Sequence, residues 1–167
     1  MGCAPIREVK KAGLIGAVIE RLRADLALYH KAALAARAEA TDEQSKAENK
    51  YDTRGLEASY LARGQSKQAL ELEQAIAMFE KLPAREFTPS DGIETGALVE
   101  LQSARNKDLY FIGPRAGGTE VEAAGREVLV ITPESPLGRQ LAGRKQGEKC
   151  ELELGGRKQN YTIAKVW

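Results

Sequence analysis

Three carboxylates, Asp42, Glu43 and Glu48, gather in one short polar stretch of this 167-residue chain, with Asn49, Tyr51 and the cations Lys46 and Lys50 among them. Acids placed in this way can present anionic oxygen outward, or they can merely cap and decorate a helix end. Other chemistry-bearing groups are sparse. His30 is the only histidine; it lies between Tyr29 and Lys31, without a second histidine or an adjacent cysteine, and reads as a surface residue before a ligand or a base. Cys3 and Cys150 are far apart and have neither metal-ligand nor disulfide spacing. There is no Gly-Lys-Ser/Thr phosphate loop and no nucleophile elbow, and a Ser-His-Asp triad would have to use His30.

What must position the acidic stretch is the sequence on either side of it. Before it, Ile15, Ile19, Leu22, Leu26, Tyr29, Ala33, Ala36 and Ala40 recur at alternating steps of four and three, the spacing of a coiled-coil seam. After it, Ala58, Ala62, Gln65, Ala69, Leu72, Ile76 and Phe79 repeat those steps. The connection is too short for parallel helices, so the arms fold back on each other as an antiparallel hairpin over 1–82, with its tip near 41–50. From Leu14 to Thr41 the rise is roughly 40 Å at 1.5 Å per residue. Large seam residues meet at one end and alanines at the other, so the rod narrows toward its turn. A thin, polar-tipped rod suits insertion into another molecule's channel better than enclosure of a substrate. Periodicity alone equally fits an oligomerisation or spacer element.

Composition sets outer bounds. At 43% hydrophobic and 29% charged residues, the chain can hold one extended element and one small core. A formal net charge of +1 exerts no global pull on nucleic acid or anionic membrane, so any such contact must come from local clustering. The basic residues Lys31, Arg37, Lys46, Lys50, Arg54 and Arg63 flank the turn on both arms, although alternating charge on exposed coiled-coil faces also serves solubility and helix pairing. No apolar run is long enough to span a bilayer, and the start of the chain lacks a basic segment followed by an apolar one. A monomeric, cytoplasmic protein with reduced thiols and no membrane contact is expected.

Two prolines and a glycine in 83–95 end the helical pattern and predict a linker. Past it the period becomes two. Strands are predicted around Leu98 and Glu100, at 109–112, at 128–131, at 151–154 and at 161–166, with Gly155-Gly156-Arg157-Lys158 as the last hairpin turn. Ser135-Pro136 opens one short helix whose Leu137 and Leu141 share a face. The fold class is therefore α+β: a helical hairpin, then a small antiparallel sheet over 96–167 wrapped around one helix.

The run from Ile131 to Glu148, with Ser135-Pro136-Leu137-Gly138 at its centre and Gly143-Arg144-Lys145-Gln146-Gly147-Glu148 at its end, resembles the signature of the bacterial Gre transcript-cleavage factors. Gly96-Ala97-Leu98-Val99-Glu100-Leu101 resembles that family's first sheet strand, and 155–163 its last hairpin. Ala47-Glu48-Asn49-Lys50-Tyr51 resembles its tip motif. The likeness runs through nearly the whole chain in the family's order.

That resemblance implies an FKBP-like second domain seated on the rim of RNA polymerase's secondary channel, and a coiled coil reaching the polymerase active site. Tip carboxylates, here Asp42, Glu43 and Glu48, would help hold a second Mg2+ shared with the polymerase, so that the polymerase's own centre cuts backtracked RNA. Asn49 and Tyr51 would support the tip. Arg37, Lys46, Lys50 and Arg54 would meet the phosphates of the RNA 3′ end, with DNA touched only indirectly. Glu134, Ser135, Pro136 and Leu137 would dock on the polymerase. The match departs at Ser45, where the family carries an aspartate, and at Tyr51, which comes one residue early. A hydroxyl does not replace a carboxylate on magnesium, so a channel-occluding regulator without cleavage is the alternative. A coiled-coil adapter or an FKBP-like prolyl isomerase ranks behind both, because 96–167 offers only Tyr110, Phe111, Tyr161 and Trp167 for an aromatic pocket.

Overall fold

The computed structural model describes residues 9–41 and 53–167. Two long helices come first, α1 (Lys11–Thr41) and α2 (Arg54–Glu80). Strands β1 (Leu98–Gln102), β2 (Lys107–Ile112), β3 (Glu120–Ala123) and β4 (Arg126–Ile131) follow, then the short helix α3 (Pro136–Leu141), β5 (Lys149–Leu154) and β6 (Arg157–Val166). The chain divides into two compact units, Leu22–Ile76 and the remainder. No described helix is long and apolar enough to cross a membrane.

In the first unit the two arms run antiparallel, and His30 Nε2 meets Glu73 Oε1 across them at 3.4 Å. Every seam position named above is buried or half-buried, with Ala36, Ala58 and Ala69 among the most enclosed. Alanine at these positions lets the two backbones approach closely, which is the packing reason the seam persists after its large side chains stop. The expected tip residues Asp42, Glu43, Ser45, Lys46, Glu48, Asn49, Lys50 and Tyr51 lie outside the described residues.

The second unit is built on a six-stranded sheet in the order β3-β4-β2-β1-β6-β5. Two features differ from the sequence expectation. β3 had no counterpart among the five predicted strands, and β2 pairs with β4 in parallel while every other pairing is antiparallel. Both follow from burial. Val128 and Val130 of β4 are fully enclosed and take an interior place beside β2, whereas β3 buries only Val121 between Glu120 and Glu122 and goes to the edge. The β3–β4 turn sets Ala124 and Gly125 at φ 52° and 76°, left-handed values that Gly125 adopts without cost.

One core, on the α3 side, gathers residues such as Val99, Leu101, Ile112, Leu137, Leu141 and Ile163. Phe87 and Ile93 join that core, so the 83–95 segment expected as a linker is packed into the unit rather than left as a free tether. Backbone bonds fasten it further: Ile93 N–H donates to Arg144 O at 2.8 Å and Gly143 N–H to Ile93 O at 2.9 Å. Asp91 accepts from the Thr88 amide at 2.7 Å, a bond that holds its carboxyl below the usual carboxylate range. The feet of the helices belong to this unit as well. Leu14, Val18 and Phe79 are enclosed there, and the Phe79 and Phe111 rings lie 6.4 Å apart.

Lys11 departs most from what its residue type suggests, being only 1% exposed. Its ammonium donates to Arg85 O and sits 4.1 Å from the centre of the Phe87 ring, which Arg85 also approaches at 4.6 Å. Arg85 in turn pairs with Glu94 and with Asp91. Desolvation pushes the Lys11 amine down from 10.5 to about 8, opposed by Glu86 and aided by Arg85. Between those two values the unfolded chain keeps a proton that the folded chain has released, so stability rises with pH across that window. Thermal melts at pH 7.5 and pH 9.5 are expected to show this rise in the native chain and to lose it in Lys11→Met. Equal pH dependence in the two proteins would refute the assignment.

Candidate functional site

Ser135-Pro136-Leu137 is held by helix-start chemistry. The Ser135 hydroxyl donates to Thr132 O at 2.7 Å and accepts from the Gly138 amide at 3.0 Å, capping α3, while Pro136 occupies a first-turn position that needs no N–H. Leu137 is buried beside Leu141 and contributes to the core. Glu134 and Pro136 are exposed, as is Arg139 one turn on, so the surface this segment offers is made by those three residues. Ser135 and Leu137 shape it from beneath.

The end of α3 is equally well defined. Gly143 adopts φ 74° just past the Ala142 cap, the left-handed turn that closes many helices. Gln140 reaches sideways, its amide donating to Glu153 O at 3.2 Å and accepting from Glu153 N–H at 2.9 Å. This pair of bonds imitates a neighbouring strand and ties α3 to β5. Nothing in the helical spacing marks Gln140 for that task, and residue type alone places it on a solvent face.

A second arrangement missed by the sequence reading centres on Glu100, only 4% exposed in β1. Its carboxylate takes Arg126 Nη1 at 2.5 Å and Lys107 Nζ at 3.8 Å, and Arg126 also donates to Lys107 O at 3.2 Å. The bridge joins three strands in the middle of the sheet, and it satisfies a charge whose isolated burial would be prohibitive. The only sequence signal for it was an acid inside an otherwise apolar strand.

On the hairpin, the described residues stop at the two threonines that bracket the tip. Thr41 Oγ1 donates back to Arg37 O at 3.1 Å, and Thr53 Oγ1 donates to Glu57 Oε1 at 2.9 Å as α2 begins. Of the expected RNA-contacting residues, Arg37 is exposed on the last turns of α1, and Arg54 opens α2 already engaged with a partner.

Residues 88–167 match the family model described as transcription elongation factor, GreA/GreB, C-terminal. Over those residues the chain carries a GreA/GreB-type C-terminal domain. The Gre-type domain takes in all six strands, α3 and most of the packed 83–95 segment. Among solved structures, the chain is similar to GreA factor homolog 1 (Gfh1) of Thermus thermophilus at 20% identity, covering 90% of this chain and 95% of that one with a TM-score of 0.39. Thermus aquaticus Gfh1 gives the same identity and score over 90% and 94%. A GreA/GreB factor from Nitrosomonas europaea gives 18% identity over 66% and 91%, with a TM-score of 0.35. Scores this low lend nothing to the reading of function. No curated protein matches the chain significantly.

Proposed function

We propose that this chain is an RNA polymerase secondary-channel factor that rescues backtracked elongation complexes by stimulating the polymerase's own RNA cleavage. The observation that carries the reading is a GreA/GreB C-terminal domain preceded by an antiparallel helical hairpin, with Glu48-Asn49 in the sequence that joins its arms. The exposed Glu134, Pro136 and Arg139 beside the capped start of α3 would dock on the polymerase, and the chain would act as a cytoplasmic monomer. At the tip, Asp42, Glu43 and Glu48 supply the hard anionic oxygens that a weakly held magnesium ion prefers, so the donor set fits the ion. The chemistry that ion supplies when bound is charge stabilisation on the attacking and leaving oxygens. The chain's own contribution is to deliver carboxylates on a stiff support and to place Arg37, Lys46, Lys50 and Arg54 where RNA phosphates pass.

Stalled, backtracked complexes mixed with this protein and magnesium should release short 3′ RNA fragments. Glu48→Gln is expected to slow that release about 10²-fold, the scale for losing one transition-state contact, and Asp42→Asn to slow it less. Ser45 favours a second reading, a regulator that occupies the channel without promoting hydrolysis, because it puts a neutral hydroxyl where the family carries a carboxylate. Binding to the polymerase with no fragments released would select that reading. No binding to the polymerase would refute both.

A further inference from the structure

A groove of about 770 Å3 lies between the two arms of the hairpin, and of its lining only Arg37 has a part in the proposed function. Its volume lies in the range of small-ligand sites. Arg37 of α1 and Arg63 of α2 both line it, both are exposed, and among the described residues neither is paired with a carboxylate. Its apolar lining is the half-buried Ala33, Ala40 and Ala62 together with Leu34, which is 68% exposed. Thr41 and Ser59 line the same space, and each already donates its hydroxyl proton to its own helix, at 3.1 Å and 3.0 Å, so their oxygens face a ligand as acceptors. No acid lines the groove among the described residues.

Each part of this lining asks for a different part of a ligand. Two arginines lining one groove, one from each arm, call for a multiply charged oxyanion that both can grip. Hydroxyl acceptors with no proton to spare call for donors, such as sugar hydroxyls. An exposed leucine over alanines calls for a flat apolar ring to cover it. We propose that the groove binds a nucleoside polyphosphate, with the phosphates between Arg37 and Arg63, the sugar hydroxyls on Thr41 and Ser59, and the base against Leu34. This goes beyond the channel reading and does not depend on it, since it requires neither the tip nor a polymerase.

Calorimetric titration of the full chain with ATP tests it. One saturable site with a Kd near 10⁻⁴ M is expected, on the order of −5.5 kcal/mol. Arg37→Gln and Arg63→Gln should each weaken binding about tenfold, Leu34→Ser about fivefold, and Lys67→Gln, outside the groove, not at all. Inorganic tripolyphosphate at equal ionic strength should bind at least about tenfold more weakly than ATP, because it lacks the ring and the sugar. Far-ultraviolet circular dichroism of each variant checks that the helices persist, and the arginines are exposed enough for their loss to leave folding intact. The proposal is overturned by absence of saturation up to about 5 mM. It is equally overturned if tripolyphosphate binds as tightly as ATP, if Lys67→Gln weakens binding as much as the arginine variants do, or if a short RNA binds this groove while ATP does not.

Discussion

Gly138→Ala should lower the melting temperature of the second unit more than any surface change on α3. A Cβ at this position would stand 2.0 Å from Thr132 O and 2.9 Å from Ser135 Oγ, and the nearer atom is backbone that cannot swing aside. The hydroxyl in the way is the same one that caps the helix, so relieving the clash breaks the Ser135 bonds to Thr132 and Gly138. The cost should be about 3 kcal/mol or somewhat more, the upper end for overpacking, and about 6–12 °C in Tm for a chain of this size. Differential scanning calorimetry measures it directly. Under the proposed docking, the same variant should also bind the polymerase more weakly, because that turn presents Glu134 and Pro136. Unchanged stability would mean that the Ser-Pro-Leu-Gly turn is looser than its geometry indicates.

Phe79→Ala should be comparably severe. Phe79 is fully enclosed, its ring stands 6.4 Å from Phe111, and its edge lies against Gly113, where a Cβ would come within 2.8 Å of both Phe79 Cζ and Val130 Cγ1. Removing the ring leaves a cavity beside the sheet's central strands, which costs about 3–5 kcal/mol. Denaturant unfolding followed by Trp167 fluorescence would report it, and Phe79→Leu should recover more than half of the loss. A shift under about 1 kcal/mol would show that the helix feet contribute little to this unit.

The elements most legible in the sequence were those whose patterns repeat. Both arms could be read because the seam recurs over many turns, and each seam position from Ile15 to Ala40 and from Ala58 to Phe79 is at least half-buried. β2 and β4 could be read because Leu109-Tyr110-Phe111-Ile112 and Val128-Leu129-Val130-Ile131 are apolar on both faces. β3 could not, because a single buried valine among glutamates carries no period, and its turn uses Ala124-Gly125 in place of the usual Asn-Gly. The parallel pairing was hidden too. It depends on which of two strands goes inside, a choice settled by burial across the whole sheet rather than by either strand's own residues.

The candidate site was legible in part. Ser135-Pro136 announces a capped helix from residue type alone, and the structure adds that Leu137 points into the core while Glu134 and Pro136 remain outside. Phe87 and Ile93 sit alone in a proline-bearing stretch, where isolated apolar residues carry no signal that they belong to a core. Lys11 and Glu100 are charged residues that ordinarily face water. Their enclosure follows from partners distant in sequence, Arg85 and Phe87 for one and Arg126 for the other, which no local pattern reveals.

Both borders of the sheet are poor templates for another strand. β3 is four residues long and carries Glu120 and Glu122, and on β5 the Gln140 amide occupies the free N–H and C=O of Glu153. A sheet finished in this way resists edge-to-edge aggregation. Gln140→Ala would therefore do more than loosen α3. It would leave a sticky margin on β5, and the chain's tendency to form fibrils on prolonged warming should increase.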